Sequence, residues 1–383
     1  MARLASDRWH NRCSLTAYPS SHHNGGYAVK PKRIVHVVGT GTIGEPLIGL
    51  LASFRKELGI DEVTFHKRTP LLTDKSKVLA LQSRGAALAV DAEQATKFST
   101  MGMKPKYDAV EAIDRAAVVI DCTPAGNENK QKFYLRYGHN AHGFIAQGSE
   151  FGFGKMYARG INDRALRPGE DKFLQVVSCN THNLAALVDA IALGPEKENS
   201  LERGTFVCMR RASDISQENE FLPSPTVSRH DDRNFGTHQA RDAFHLFATL
   251  GLELDLYSSS LRVNTQYMHV IYFNLALRRE VSAEDVLQRL QANGRVALTY
   301  KDQSSLVFSF GRDHGLFGRI LSQTVIPIRS ISVKDDHEVL GFSFTPQDGN
   351  SLLSSIAAAE WFLYPEDYNQ RLNCIEKYIF QEI

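Results

Sequence analysis

Residues 33–44 read Arg-Ile-Val-His-Val-Val-Gly-Thr-Gly-Thr-Ile-Gly, and this stretch decides the fold. A β-branched run from Arg33 to Val38 stops on Gly39 and leads into a helical pattern from Ile43 to Leu58, which is strand, turn, helix. The turn Gly39, Thr40, Gly41, Thr42, Ile43, Gly44 is GxGxxG in the setting where it carries meaning. Gly39 permits a tight turn, Gly41 lets the backbone approach a pyrophosphate, Gly44 lets helix and strand pack closely, and the helix amides face the anion. All six residues are candidates for holding a dinucleotide.

Outward from the turn, strands are expected at Val63–Phe65, Ala117–Asp121 and Gly143–Ala146. The second of these is the continuous apolar run of a strand buried on both faces. The expected class is α/β: a Rossmann-like doubly wound parallel sheet over about residues 31–150. Thr123, Pro124 and Gly148, just after two of these strands, join the cofactor-binding candidates. NAD-selective sites place a carboxylate about 20 residues after the glycine turn to accept from the ribose hydroxyl. Here that position holds His66, Lys67, Arg68 and Thr69, so a cationic pair, Lys67 and Arg68, favours NADP or dual use of NADP and NAD.

Beyond Val176 the texture changes. A helix is expected at Asn183–Leu193 and a strand at Thr205–Arg210, followed by a long polar loop from Ser213 to Asp242. Strands follow at Glu253–Tyr257, His269–Leu277, Ile328–Val333 and Val339–Phe344, with a helix at Ser282–Ala292. This predicts a second α+β catalytic domain with a mixed or antiparallel sheet. Two helices, near Ser351–Leu363 and Asn369–Phe380, close the chain. The expected division is an extension at 1–30, a dinucleotide-binding domain at 31–177, a catalytic domain at 178–350, and C-terminal helices at 351–383 packing back on the dinucleotide-binding domain. The extension is read as disordered, because Arg, Ser, His and Gly dominate it and it lacks an apolar targeting core.

With 383 residues, 43% of them hydrophobic, the chain can bury a sizeable core. Its 44 Lys+Arg against 43 Asp+Glu leave a net charge of +1, which gives no broad handle for nucleic acid or an anionic membrane. No apolar run reaches the length of a bilayer span. Five cysteines without a CxxC pair suggest neither zinc nor a disulfide framework and fit a reducing, cytoplasmic setting; no metal site is expected.

Val176-Val177-Ser178-Cys179-Asn180-Thr181 ends a strand and opens a helix. Cys179 thus sits among the free amides of a helix N-terminus, where the dipole favours the thiolate. Cys122, Cys208 and Cys374 lie in apolar stretches and read as small buried hydrophobes.

The ordered set GTGTIG at 39–44, KRTP at 67–70, QGSE at 147–150, VVSCNT at 176–181, RRASD at 210–214 and YMH at 267–269 resembles glyceraldehyde-3-phosphate dehydrogenase of the archaeal, type II branch. The likeness covers about residues 32–345. It implies that Cys179 is the nucleophile, that His269 is the catalytic base, and that Arg210 and Arg211 stand near the substrate phosphate. Arg210 and Arg211 alternate on a strand, so one of them, Arg211, is expected to reach the ligand. Ser178, Asn180 and Thr181 join the phosphate-side candidates, and His230 and His238 compete for a role from the following loop. The implied reaction is oxidation of a small phosphorylated aldehyde through a cysteine thioester that inorganic phosphate releases, with a protonated His269 helping to hold the oxyanion. A homo-oligomer, a tetramer, is also implied. Neighbouring readings are an acyl-phosphate or semialdehyde oxidoreductase, a tetrose-phosphate enzyme, and a non-catalytic cofactor-binding relative. The chain departs from the family at His182 and Asn183, expected near the phosphate pocket, and at Thr345-Pro346-Gln347-Asp348.

Overall fold

The computed structural model describes residues 32–383 except 149, 196, 214–221 and 347. The extension expected at 1–30, and part of the loop expected at 213–242, lie outside the described residues. Eight parallel strands form the first sheet: β1 (Ile34–Val38), β2 (Glu62–His66), β3 (Ala87–Val90), β4 (Tyr107–Asp108), β5 (Val118–Asp121), β6 (Gly143–Gln147), β7 (Lys155–Tyr157) and β8 (Phe173–Val176). Their order is β4-β3-β2-β1-β5-β6-β8-β7. The strand order reverses at β1, which pairs with β2 on one side and β5 on the other. A crevice opens at such a reversal, beyond the carboxyl ends of the strands.

Every residue of β1 and β5 is buried, His36 and Asp121 included, which explains why both runs are otherwise apolar. β3, β4 and β7 are additions to the expected strands: each has four residues or fewer and depends on its neighbours for pairing. The first helix ends at Ser53, not Leu58, the backbone passing into turns before Gly59.

The second sheet is mixed, as expected. It contains β9 (Leu201–Arg210), β10 (Thr226–Val227), β11 (Leu256–Arg262), β12 (His269–Leu277), β13 (Val296–Thr299), β14 (Thr324–Pro327), β15 (Ser332–Lys334) and β16 (Glu338–Thr345). The order is β10-β11-β9-β12-β16-β14-β13, with β15 on β16. Burial alternates strictly along β12, the signature of a sheet with one face in the core. Several boundaries differ from the sequence reading. The long loop ends at Thr237, where a helix, His238–Ala248, begins. The strand expected at Ile328–Val333 is instead the end of β14 at Pro327, a 3-10 turn at Ile328–Ser330, and β15. The serines 258–260, polar enough to suggest a loop, pair in β11 with β9. The last expected helix is two short ones, Tyr368–Arg371 and Asn373–Glu376.

The Gly349–Leu363 helix is buried along its whole length, and its Leu352, Leu353 and Ile356 share a core with Val35, Leu47 and Ile145 of the first sheet and its helix. Each fully buried side chain of this size contributes about 1.5–3 kcal/mol. The same helix buries Glu360 completely, with neither carboxyl oxygen hydrogen-bonded among the described residues. Burial pushes its pKa up to about 8. The native state therefore binds a proton that the unfolded chain releases above its ordinary value near 4.5; the stabilisation is complete below that value and is lost as pH rises to about 8. Glu360→Gln is expected to raise stability at pH 8.5 by up to about 4 kcal/mol, with the gain vanishing near pH 4.5. Thermal unfolding across that range checks it; a gain that does not depend on pH refutes the assignment. Among the described residues no helix is long and apolar enough to cross a membrane.

Candidate functional site

A cavity of about 1000 Å³ opens over the carboxyl ends of the first sheet. Its floor is the glycine turn. Gly39 has φ +95°, and its amide donates to His66 O at 3.1 Å, closing the turn against β2. A Cβ on Gly44 would fall 2.1 Å from Gly39 O, so only glycine allows this helix to start so close to its strand. At Gly41 nothing lies within 4 Å of where a Cβ would be, which leaves the backbone open to a ligand. Thr40, Thr42 and Ile43 complete the floor.

Thr123, Pro124 and Gly148 line the far wall. The turn holding Thr123 is fixed by Asp121, whose Oδ1 accepts from Thr123 N at 2.8 Å and Thr123 Oγ1 at 2.7 Å; its Oδ2 accepts from Asn129 at 2.8 Å and Tyr134 at 2.5 Å. Gln147 Oε1 and His36 Nε2, both at the cavity, are buried with no hydrogen-bond partner among the described residues. Unpaired buried polar atoms on a cavity wall fit a ligand with its own donors and acceptors. Lys67 and Arg68 both reach the cavity. Lys67 is buried and ion-paired with Asp74, whereas Arg68 is exposed. Lys77, unmarked in the sequence, bridges Asp74 at 2.9 Å and donates to Thr40 O at 3.3 Å.

Cys179 opens the Cys179–Leu187 helix, capped by Ser178, whose Oγ accepts from Thr181 N at 3.3 Å. Both Ser178 and Cys179 face the cavity. From β12, His269 brings Nδ1 to 3.8 Å from Cys179 Sγ and to 2.9 Å from Asn180 Oδ1. A chain of hydrogen bonds sets the tautomer. Ser343 Oγ donates to Asn183 Oδ1 (2.9 Å), Asn183 Nδ2 donates to Thr345 Oγ1 (2.8 Å), and Thr345 Oγ1 then donates to Asn180 Oδ1 (3.2 Å). Asn180 Oδ1 is thereby an acceptor, so His269 carries its proton on Nδ1 and keeps a lone pair on Nε2. Burial first, then Arg211 and Arg210, hold the imidazole pKa down to about 3. The ring is neutral at pH 7, the form a proton acceptor needs, and a positive charge arises there only when the ring takes a proton.

Arg211 is buried and lines the cavity with Cys179. His269, Arg210, Asn180, Thr181, His230 and His238 are not among the cavity-lining residues; His269 stands behind Cys179, buried. Asn180 and Thr181 face inward, toward His269 and Ser178 respectively. His230 is exposed and pairs with Ser259 Oγ at 2.9 Å. His238 starts its helix half-buried, its pKa lowered to about 4 by burial, Arg210 and Arg241. His182 and Asn183, expected near a phosphate pocket, are fully buried elsewhere. His182 bonds Ser178 O (3.0 Å) and Ser354 Oγ (2.8 Å), tying the cysteine helix to the C-terminal one.

Of the other cysteines, Cys208 is buried and its thiol pushed up to about 12 by that burial. Cys122 corrects the reading of a simple core residue, since it is part-exposed on the cavity wall; desolvation still raises its thiol well above the usual range. Cys374 is likewise part-exposed. Sequence reasoning missed Asn350, whose Nδ2 donates to Cys179 O at 3.0 Å, and Ser351 at the cavity; Asp348, marked in the sequence only as part of a departure from the family, lines the cavity as well. A signal for them existed in the polar residues Asn350, Ser351, Ser354 and Ser355 on a helix that is apolar elsewhere apart from Glu360.

No family model matches the chain. It is 26% identical over 302 residues to a glyceraldehyde-3-phosphate dehydrogenase of Sulfolobus acidocaldarius, covering 76% of this chain and 81% of that protein. With the glyceraldehyde-3-phosphate dehydrogenase of Saccharolobus solfataricus the identity is 24% over 323 residues, and with that of Metallosphaera sedula 26% over 323 residues, covering in each case 81% of this chain and 86% of the relative. Over most of its length, then, the chain has relatives of glyceraldehyde-3-phosphate dehydrogenase type.

Proposed function

We propose that the chain is a phosphorylating glyceraldehyde-3-phosphate dehydrogenase of the type II branch. It would oxidise D-glyceraldehyde 3-phosphate to 1,3-bisphosphoglycerate, and run the reverse, with NADP or NAD. The observation that carries this reading is the approach of Cys179 Sγ to His269 Nδ1, 3.8 Å, at the wall of a cavity floored by the glycine turn. Gly39 to Gly44, Thr123, Pro124 and Gly148 would hold the dinucleotide, which when bound supplies the hydride acceptor. The Cys179 thiolate attacks the aldehyde carbon, forming a C–S bond as the carbonyl π bond opens onto oxygen, which takes up a proton from water to give the hemithioacetal hydroxyl. As hydride leaves that carbon, the hydroxyl proton passes to the lone pair of His269 Nε2, and a thioester remains. The Nδ1–H of the same ring is held by Asn180 Oδ1, with Cys179 Sγ 3.8 Å from that nitrogen, and the anionic form of the sulfur is favoured by its place at the helix N-terminus. Inorganic phosphate then adds to the thioester carbonyl and displaces the thiolate. Arg211 supplies charge for the substrate's phosphate from the cavity wall, and Arg210, one residue back along the chain, reinforces the positive field there.

Cofactor reduction with glyceraldehyde 3-phosphate, run with each cofactor and with or without phosphate, tests the reading. Turnover that needs both aldehyde and phosphate supports it; turnover only with an amino-acid semialdehyde or a tetrose phosphate refutes it. Arg68, exposed at the end of β2, would meet the 2′-phosphate of NADP. Arg68→Gln is expected to raise KM for NADP roughly tenfold and to move KM for NAD by less than about twofold. An equal change for both cofactors refutes a role in the choice.

The reading extends to domains at 31–177 and 178–350, with residues 351–383 returning to the first sheet, and to a cytoplasmic homotetramer. In support of self-association, the outer face of the second sheet aligns Met209 with Val270, and Val207 and Phe342 with Tyr272, all partly or fully exposed. Size-exclusion chromatography with light scattering tests the assembly.

A further inference from the structure

A second cavity, about 520 Å³, shares no residue with the first. It is lined by the end of the segment that begins at Cys179 (Asp189, Ala190, Gly194), by the end of the Ala283–Ala292 helix and the residues after it (Arg289, Gly294, Arg295), and by Gly160 and Glu376. Two of its cations have internal partners. Lys197 grips both oxygens of Asp189 at 2.7 Å, and Arg289 donates to Ile191 O at 2.8 Å, as cations do at a helix C-terminus.

Arg295 has no such partner: among the described residues its guanidinium makes no hydrogen bond and no ion pair. Its stem is packed so tightly over Gly160 that a Cβ there would fall 2.7 Å from Arg295 Nε. Burial and the nearby Arg159 cation both disfavour charge on it, with Asp163 and Glu376 compensating only in part. A guanidinium stays ionised in a protein, so a partly buried one that makes no ion pair among the described residues, and whose nearby carboxylates compensate only in part, is costly unless something else meets it. Gly294 beside it is exposed, and only Gln381 Nε2, at 3.9 Å, comes near its Cβ position.

We propose that this cavity binds a small phosphomonoester, its phosphoryl group held by the Arg295 fork and by donors of Arg289 that Ile191 O leaves unused. The planar fork matches phosphate oxygens two at a time. A space of 520 Å³ is of the size that takes a small metabolite rather than a lone phosphate ion. The proposal is independent of the reading given for the first cavity.

The test is calorimetric titration of the full chain with glycerol phosphate and, separately, with inorganic phosphate, in an Arg211→Gln background that suppresses binding in the first cavity. Glycerol phosphate is expected to bind at least roughly threefold more tightly than inorganic phosphate. Arg295→Gln is expected to weaken it at least roughly tenfold. Gly294→Glu, which removes no existing contact and places a carboxylate at the mouth, is expected to abolish the binding while leaving cofactor-linked turnover in an otherwise unaltered chain unchanged. The proposal is overturned if glycerol phosphate does not bind in the Arg211→Gln background. It is equally overturned if Gly294→Glu binds it as well as that background does, or if inorganic phosphate binds as tightly as the ester.

Discussion

Cys179→Ser is expected to lower aldehyde oxidation by at least roughly four orders of magnitude while cofactor affinity stays within about twofold. The contrast follows from the geometry. Cys179 stands on the cavity wall 3.8 Å from His269, whereas the glycine turn that would hold the dinucleotide belongs to a separate element, β1 and its helix. Serine keeps the size of the side chain and its place at the helix N-terminus, so the fold is undisturbed. What it loses is an ionisable thiol, because a hydroxyl is not deprotonated near neutral pH even beside an imidazole. Cofactor reduction and a fluorescence titration with cofactor, done in parallel, give the two numbers. Turnover surviving in the serine variant would mean that another group performs the chemistry.

The second large effect concerns His269. His269→Asn is expected to reduce kcat by roughly 10²–10⁴-fold, the usual contribution of a positioned proton acceptor. The wild-type pH profile should show why. The imidazole pKa is lowered to about 3 by burial and by Arg211 and Arg210, so its neutral form persists as pH falls well below the ordinary histidine value of 6.5. kcat is therefore expected to show no inflection from His269 near pH 6.5. Asn180→Leu removes the acceptor that fixes the Nδ1 proton and is expected to cost kcat roughly tenfold with KM for the aldehyde little changed. An equal fall in kcat and rise in KM would point to general disruption instead.

Much of this architecture was legible along the chain, and the misses have physical causes. β1, β5 and β12 were readable because their patterns are complete in themselves: a wholly buried run in the first two, strict alternation in the third. β3, β4 and β7 carry too few residues for a pattern, and β11 hides its pairing behind Ser258, Ser259 and Ser260, whose hydroxyls find partners only in the folded state. His182 and Asn183 misled for a related reason. Their place next to the nucleophile in sequence suggests a phosphate contact, yet helical geometry turns their side chains to Ser354 and Thr345.

Sequence alone determined the glycine turn, the cysteine at a helix start and a second sheet without regular crossover helices, because these depend on residue type and periodicity over a dozen positions; that this sheet is mixed and not antiparallel came from the pairing. Tertiary structure decided the rest. The meeting of Cys179 with a histidine 90 residues away, the proton on His269 Nδ1, the hold of Asn350 on the cysteine backbone, and the packing of Arg295 over Gly160 all arise between elements remote in the chain. Such contacts have no period to read: which face of one element meets which face of another is settled by packing and by the pairing of every buried polar group.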